Sequence, residues 1–227
     1  LITFSVIIPT LNEERLIGNC IRQLRQLDPH VEIIVADGKS DDKAARAAAE
    51  LGAIVVRSEQ GRGYQCNAGA IRASADILLF LHVDTRLPPH AFTELRHFFQ
   101  DDKVNVGVFR LALDVKHPLL NFYARCNRFD SVLTRFGDQA IVIRTSFFQA
   151  IGGFPNWPLY EGLRLLQKAR KRTRIYLFPG TVVTSARRFV ENGIIRQCCR
   201  DLWYMLNYVA GVSPAQLAVK YDRTARG

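Results

Sequence analysis

In the stretch LLFLHVDTRLPPH, residues 78–90, four apolar residues run directly into His82-Val83-Asp84, and Pro88 and Pro89 close the segment. The apolar run reads as a buried strand. An imidazole and a carboxylate at the end of such a strand are costly unless something partners them. On residue type alone Asp84 serves as a turn former ahead of Pro88; the partner that such a pair calls for has to come from the rest of the chain.

Other polar groups recur in the same way. SVIIPTLNEE brings Thr10, Asn12 and Glu13 to the end of an apolar run, and VEIIVADGKSDD does so for Asp37 and Asp42. Carboxylates and amides suit base edges and ribose hydroxyls. The same residues also suit local duties, Asn12 and Glu13 at a helix start and Asp37 in a turn. GRGYQCNAGA puts Arg62 and Asn67 near a helix start, where an anion is welcome. It lacks the Gly-Lys-Ser/Thr ending of a phosphate-binding P-loop.

The elements that must position these groups alternate from residue 3 to 84. TFSVIIPT, VEIIVADG, AIVVRS and ADILLFLHVD read as strands. The first helix is capped by Asn12 and runs through Leu16, Ile17, Cys20, Ile21, Leu24 and Leu27; SDDKAARAAAELG and GRGYQCNAGAIRAS supply the next two. Strands apolar on both faces and alternating with helices predict an α/β fold, a parallel sheet covered on both sides. Ligands of such sheets bind at the carboxyl ends of the strands, where the polar clusters fall. After residue 100 the pattern loosens: a strand in VNVGVFRLALDV, a helix over 118–134, a strand in DQAIVIRTS, a short helix ending at Gly152-Gly153, a loop NWPLYEG, a basic helix LRLLQKARKR, two short strands RIYLFPG and TVVTSARR, then helix, turn and short helix. The whole chain, 1–227, is expected to be one domain with an irregular second half.

Taken in order, SVIIPTLNEE, IIVADGKSDD, GRGYQCNAGA, ILLFLHVDTRLP, GDQAIVIR, IGGFP and VVTSARR resemble the family-2 glycosyltransferases over about residues 2–220. More narrowly they are similar to a bacterial subfamily named for its association with radical-SAM and selenodomain genes. The resemblance implies a GT-A (Rossmann-like), mixed but mostly parallel sheet. It implies metal-assisted transfer of a sugar, with inversion, from a nucleotide-sugar, in the first instance a UDP-sugar, to an acceptor such as a lipid or glycan. On that resemblance residues 1–100 are the nucleotide-binding half and 101–227 the acceptor half with the C-terminal helices; Thr10, Asn12, Glu13, Asp37, Asp42, Arg62 and Asn67 are donor contacts; and HVD is a form of the Asp-x-Asp metal motif, in which Asp84 holds Mg²⁺ or Mn²⁺ with substrate phosphates and water completing the shell, and His82 is a ligand, a water-orienting group or a packing residue. Arg187 and Arg188 of SARR would stabilise diphosphate, Arg188 being the residue assigned; on composition alone they are a solvated helix start. The family has glycine where Lys39 stands. Its catalytic base comes from a Glu-Asp pair after GGFP; here PLYEGLR offers Glu161 followed by Gly162. Glu161 is therefore the expected base, with Asp138 of GDQ as the substitute. The alternative is a GT-A-fold module that binds nucleotide without efficient turnover.

Composition narrows the rest. With 48% hydrophobic residues the chain is an ordinary globular one. Five cysteines without a CxxC pair point to a reducing compartment and away from a disulfide framework or zinc site. No apolar run reaches the ~20 residues of a membrane span, and no signal peptide pattern opens the sequence, so a cytoplasmic location is expected. A net charge of +10 favours an anionic partner. Nucleic acid is disfavoured because the basic residues are dispersed and no nucleic-acid motif occurs. A dinucleotide oxidoreductase is disfavoured because no GxGxxG follows the first strand. In IIRQCCRDLWYMLNYVAG an apolar stripe runs through Ile195, Cys199, Leu202, Leu206 and Val209. It is expected to pack on its own domain. The other reading is peripheral contact with a membrane through Trp203, Tyr204, Tyr208, Arg196 and Arg200.

Overall fold

A computed structural model describes residues 2–126, 139–157 and 159–218. Seven strands form one sheet: β1 (Phe4–Thr10), β2 (Glu32–Asp37), β3 (Ile54–Arg57), β4 (Ile77–Phe80), β5 (Val106–Leu113), β6 (Ile141–Arg144) and β7 (Ile175–Thr184). Their order is β3-β2-β1-β4-β6-β5-β7. Only β6 runs against its neighbours, β4 and β5, so the sheet is mixed and mostly parallel. The helices are α1 (Glu14–Leu27), α2 (Ala44–Glu50), α3 (Arg62–Arg72), α4 (Ala91–Phe99), α5 (Pro118–Cys126), α6 (Thr145–Ala150), α7 (Glu161–Arg170), α8 (Arg187–Asn192) and α9 (Ile194–Val209).

Two apolar layers sandwich the sheet. Phe4, Val6 and Ile8 point from β1 into one, with Ile17, Cys20, Ile21 and Leu24 of α1 and Phe92, Leu95 and Phe99 of α4. Ile7 points into the other, with Cys66 of α3, Phe148 of α6 and Leu165 and Leu166 of α7. The period-2 alternation of a strand and the stripe of an amphipathic helix produce this division directly. A smaller cluster of Leu120, Ala186 and Phe189 joins α5 and α8, with Ile194 and Cys198 of α9 packed on it.

Several elements differ from the sequence expectation. β4 stops at Phe80, and His82 to Thr85 form a turn closed by Thr85 N–H donating to the His82 carbonyl at 3.0 Å. The expected strands RIYLFPG and TVVTSARR are one strand, β7, with a bulge: Phe109 pairs with Phe178, but Arg110 pairs with Thr181. Pro179 cannot donate to the ladder, and the extra residues absorb it. α7 begins at Glu161, so Glu161 and Gly162 are helical, not loop. α4 was not assigned from sequence at all. The helix expected at 118–134 is described to Cys126; residues 127–134 lie outside the described residues.

The packing expected for the α9 stripe is overturned. Ile195, Leu202, Leu206 and Val209 are 65%, 59%, 55% and 57% exposed, and Cys199 is exposed too. The face that packs carries Gln197, Tyr204 and Met205, with Tyr204 against the Trp203 ring.

Candidate active site

The loops after β1 and β2 are stitched to each other. Asn12 is not the cap of α1. Its backbone is left-handed, with φ 57°, a conformation Asn tolerates better than most residues. Its side-chain oxygen accepts from Asp41 N–H at 2.9 Å, and its own N–H donates to Ser40 Oγ at 3.0 Å. Asp42 caps two helices at once. One carboxylate oxygen accepts from Glu14 N–H at 2.8 Å and the other from Ala44 N–H at 2.9 Å. Charge at a helix N-terminus is favourable, so both are scaffold residues first. Lys39 holds φ 66° and pairs with Glu59 at 2.7 Å; the left-handed backbone explains why glycine suits that position in the resembled family.

Asp37, 2% exposed, ends β2, and both its oxygens accept from Ser40 N–H at 3.3 Å. Thr10 is 1% exposed and its hydroxyl is buried without a partner. Gln65 of α3, a residue the sequence did not single out, donates to the Thr10 carbonyl at 2.7 Å and the Ala36 carbonyl at 2.9 Å. It clips the ends of β1 and β2 together. Nothing in its neighbourhood of the sequence signals this, because the two acceptors lie 55 and 29 residues away.

Asn67 is engaged by the protein's own backbone. Its amide donates to the Phe154 carbonyl at 2.9 Å and accepts from Phe154 N–H at 3.0 Å. It fastens the Gly152–Trp157 loop to α3. Gly63, one turn earlier, lets that loop approach: a Cβ there would lie 2.2 Å from the Pro155 carbonyl oxygen. The loop leads into Tyr160, left-handed at φ 63°, and then into Glu161.

Glu161 is 9% exposed in the first turn of α7. A narrow cleft brings it together with Arg62, Cys66 and His82, between Pro9, Phe80 and Phe154. Burial pushes the Cys66 thiol up, and the Glu161 carboxylate adds to that while Arg62 opposes it. The turn bearing Asp84 is pinned from the far side. Thr85 donates to Thr184 Oγ1 at 2.9 Å, and Arg86 exchanges backbone bonds with Val183 at 2.8 and 3.0 Å.

Glu13 lies within the field of the same group. Burial raises its carboxyl above the ordinary range; Arg187 opposes this, Asp84 and Asp42 add to it, and Arg62 opposes it. Glu13, Arg62, Asp84 and Arg187 follow the carboxyl ends of β1, β3, β4 and β7, which run the same way, so the four share one edge of the sheet. Arg188 pairs with Asp201 of α9 at 3.3 Å. Of the two adjacent arginines, Arg187 is the one whose charge reaches Glu13, a distinction that spacing within a short helix could not make. Asp138 lies outside the described residues.

A divalent cation fits this edge only in part through protein ligands. Among the described residues no group of three or more His, Cys, Asp or Glu side chains could enclose a metal. Asp84, with the Glu13 carboxylate in its field, instead suits a cation whose shell is completed by substrate phosphates and water. Both carboxylates would gain from a positive charge between them.

This edge also carries the comparison with known proteins. The model of "Glycosyl transferase family 2" matches residues 5–152, well over half of the chain. The chain belongs to glycosyl transferase family 2. Glu161 and Arg187 lie beyond the matched stretch. Among curated members, the chain is 37% identical over 93 residues to a 4,4'-diaponeurosporenoate glycosyltransferase of Staphylococcus haemolyticus, covering 37% of this chain and 25% of that protein. It is 44% identical over 66 residues to the low-salt glycan biosynthesis hexosyltransferase Agl6 of Haloferax volcanii, covering 27% of this chain and 16% of that one. The matching stretch therefore spans a quarter or less of these two relatives. Among solved structures, S. aureus TarS 1-349 in complex with UDP superposes with TM-score 0.66 at 19% identity, over 82% of this chain and 61% of that one. The mannosyltransferase PcManGT of Pyrobaculum calidifontis, in complex with GDP-Man and Mn²⁺, gives 0.62 at 20% identity, over 79% and 56%. These likenesses show the fold, which is that of the GT-A family-2 enzymes.

Proposed function

We propose that this chain is the donor-binding and catalytic unit of an inverting, metal-assisted glycosyltransferase that uses a nucleotide-sugar, in the first instance a UDP-sugar. The observation that carries the reading is the placement of Glu13, Arg62, Asp84 and Arg187 at one carboxyl edge of the sheet, with Arg62 and Glu161 lining the same cleft. Residues 1–100 would bind the nucleotide, and 101–227 would shape the acceptor side. Asp37 and Glu13 would meet base and ribose, with Thr10 at the floor. Asn12, Asp42 and Asn67 would hold the contacting loops in place. Arg62 and Arg187 would bind diphosphate oxygens, with Arg188 fixing α8 to α9. Asp84 would hold Mg²⁺ or Mn²⁺, which when bound neutralises charge on the leaving diphosphate.

Glu161 would accept the proton of the acceptor hydroxyl as that oxygen attacks the sugar carbon, with Asp138 as the substitute base. The neighbour structures hold UDP in one case and GDP-Man and Mn²⁺ in the other; UDP-sugars and GDP-mannose are the donors to test here. The chain is further proposed to fall in the radical-SAM/selenodomain-associated bacterial subfamily, and to act on a lipid or glycan acceptor from the cytoplasm, at the membrane periphery. Gly162, standing where the family pair has its second acid, favours one second reading: a nucleotide-binding module without efficient turnover. Detectable donor hydrolysis separates the two.

The test is calorimetry with UDP and GDP, with and without Mn²⁺. Asp84→Asn should abolish the metal-dependent gain in affinity. Asp37→Ala should weaken binding about tenfold even without metal, the value of a hydrogen bond to a charged group. Equal Mn²⁺-dependent affinity in Asp84→Asn would remove Asp84 from the metal site.

A further inference from the structure

The exposed stripe of α9 has the chemistry of a bilayer-facing helix. At about 100° per residue, Ile195, Cys199, Leu202, Leu206 and Val209 fall within an arc of about 80° and extend for about 21 Å. Trp203 follows at one edge, 47% exposed. Phe122 of α5, the helix beside α9, is 68% exposed. Contiguous apolar surface of this kind on a soluble chain marks an interaction face.

Charge selects the partner. Arg196 of α9, about 20° beyond Trp203 at the edge of the stripe, is exposed, and so is Arg125, one turn beyond Phe122 on α5. α7 meets the opposite, inward face of α9, where Tyr208 hydrogen-bonds Gln167 at 3.4 Å. α9 itself carries one acid, Asp201, bonded to Arg188 at 3.3 Å and Gln197 at 2.7 Å. The apolar stripe is therefore bordered by positive charge. A second copy of the chain is a poor occupant, because two identical basic borders would repel, and one helical stripe falls short of the roughly 800 Å² per partner of a standard interface.

We infer that the exposed face of α9, bordered by Arg196 and by Arg125 of α5, seats on an anionic lipid surface with Leu202, Leu206 and Trp203 among the acyl chains. Amphipathic helices bind in this way, through buried apolar area together with attraction to anionic headgroups. Binding needs no donor or acceptor, so the inference stands or falls apart from the proposed transfer reaction.

The test is vesicle flotation of the full chain with phosphatidylcholine alone and with phosphatidylcholine plus phosphatidylglycerol. A Trp157→Phe background leaves Trp203 as the only tryptophan. Flotation with the anionic vesicles, a blue shift of Trp203 emission and release by high salt are expected. Leu202→Asn with Leu206→Asn should weaken binding roughly tenfold or more. Arg196→Glu should weaken it on anionic vesicles with the apolar stripe intact, a second handle should the double variant fold poorly. Three results would overturn the inference: no flotation with anionic vesicles, Trp203 already shielded from a soluble quencher without lipid (the chain covers its own stripe), or a dimer in solution that the Leu202/Leu206 variant dissolves.

Discussion

Asn67 separates two accounts of the site by measurement. As a donor contact, its loss would weaken nucleotide binding and leave stability alone. The structure instead gives both ends of its amide to Phe154, at 2.9 and 3.0 Å. A net intramolecular hydrogen bond contributes about 1 kcal/mol. Asn67→Ala removes two, in a partly buried loop, so the expected cost is roughly 2 kcal/mol. For a chain of this size that lowers the melting temperature by roughly 4–8 °C. Asn67→Asp should do no better, because it keeps the acceptor for Phe154 N–H but sets a carboxylate oxygen against the Phe154 carbonyl. Since the loop leads to Glu161, the transfer rate should fall in both variants, while affinity for UDP with Mn²⁺ stays within about threefold, a binding change of less than 1 kcal/mol. Denaturant melts and calorimetry on the same preparations decide the matter. Unchanged stability with affinity reduced tenfold or more would refute the clamp and return Asn67 to the nucleotide.

Three further outcomes are expected. Glu161→Gln should retain donor binding and lower transfer by ~10²–10⁴, the usual contribution of a general base; Gly162→Asp, at a helical position beyond the left-handed Tyr160, should equal or exceed the parent. Full activity of Glu161→Gln together with a dead Asp138→Asn would move the base to Asp138. Glu13→Gln should raise the denaturation midpoint at neutral pH while weakening nucleotide binding. The raised Glu13 carboxyl, burial being the main cause, holds its proton longer in the folded than in the unfolded state. Its stability contribution is therefore lost as pH rises through the folded pKa, and the penalty persists above. The variant's advantage should vanish in mildly acidic solution; an advantage that grew there would contradict the assignment. Gly63→Ala, whose Cβ would overlap the Pro155 carbonyl at 2.2 Å, should cost about 1–3 kcal/mol of stability, as overpacking does, and lower transfer. A neutral result would mean that the loop is not held against α3.

The first half of the fold was legible because its signals are local. Each strand from β1 to β4 is a short apolar run, and α1 is a regular stripe, so alternation alone implies the parallel sheet and the edge where Asp37 and Asp84 must emerge. The second half depends on partners distant in sequence. No pattern in IVIR says that β6 is inserted antiparallel between β4 and β5, and Pro179-Gly180 reads as a break although pairing with β5 continues on both sides. The site divides along the same line. Residue types identified the acids, but the carbonyls that Gln65 serves, the loop that Asn67 holds and the choice between Arg187 and Arg188 are set by tertiary neighbours.

α9 shows the limit of periodicity most plainly. A stripe at helical spacing establishes that two faces of a helix differ; it does not establish which of them meets the protein. In α1 the apolar face turns inward, onto Val6, Ile8 and Val35. In α9 the inward positions are Gln197, Tyr204 and Met205, and Gln197 is fully buried because Asn192, Arg200 and Asp201 satisfy its amide. A buried glutamine whose oxygen and nitrogen both have partners is tolerated in a core. With that network fixing the inward face, the apolar stripe of α9 is left on the outside of the helix.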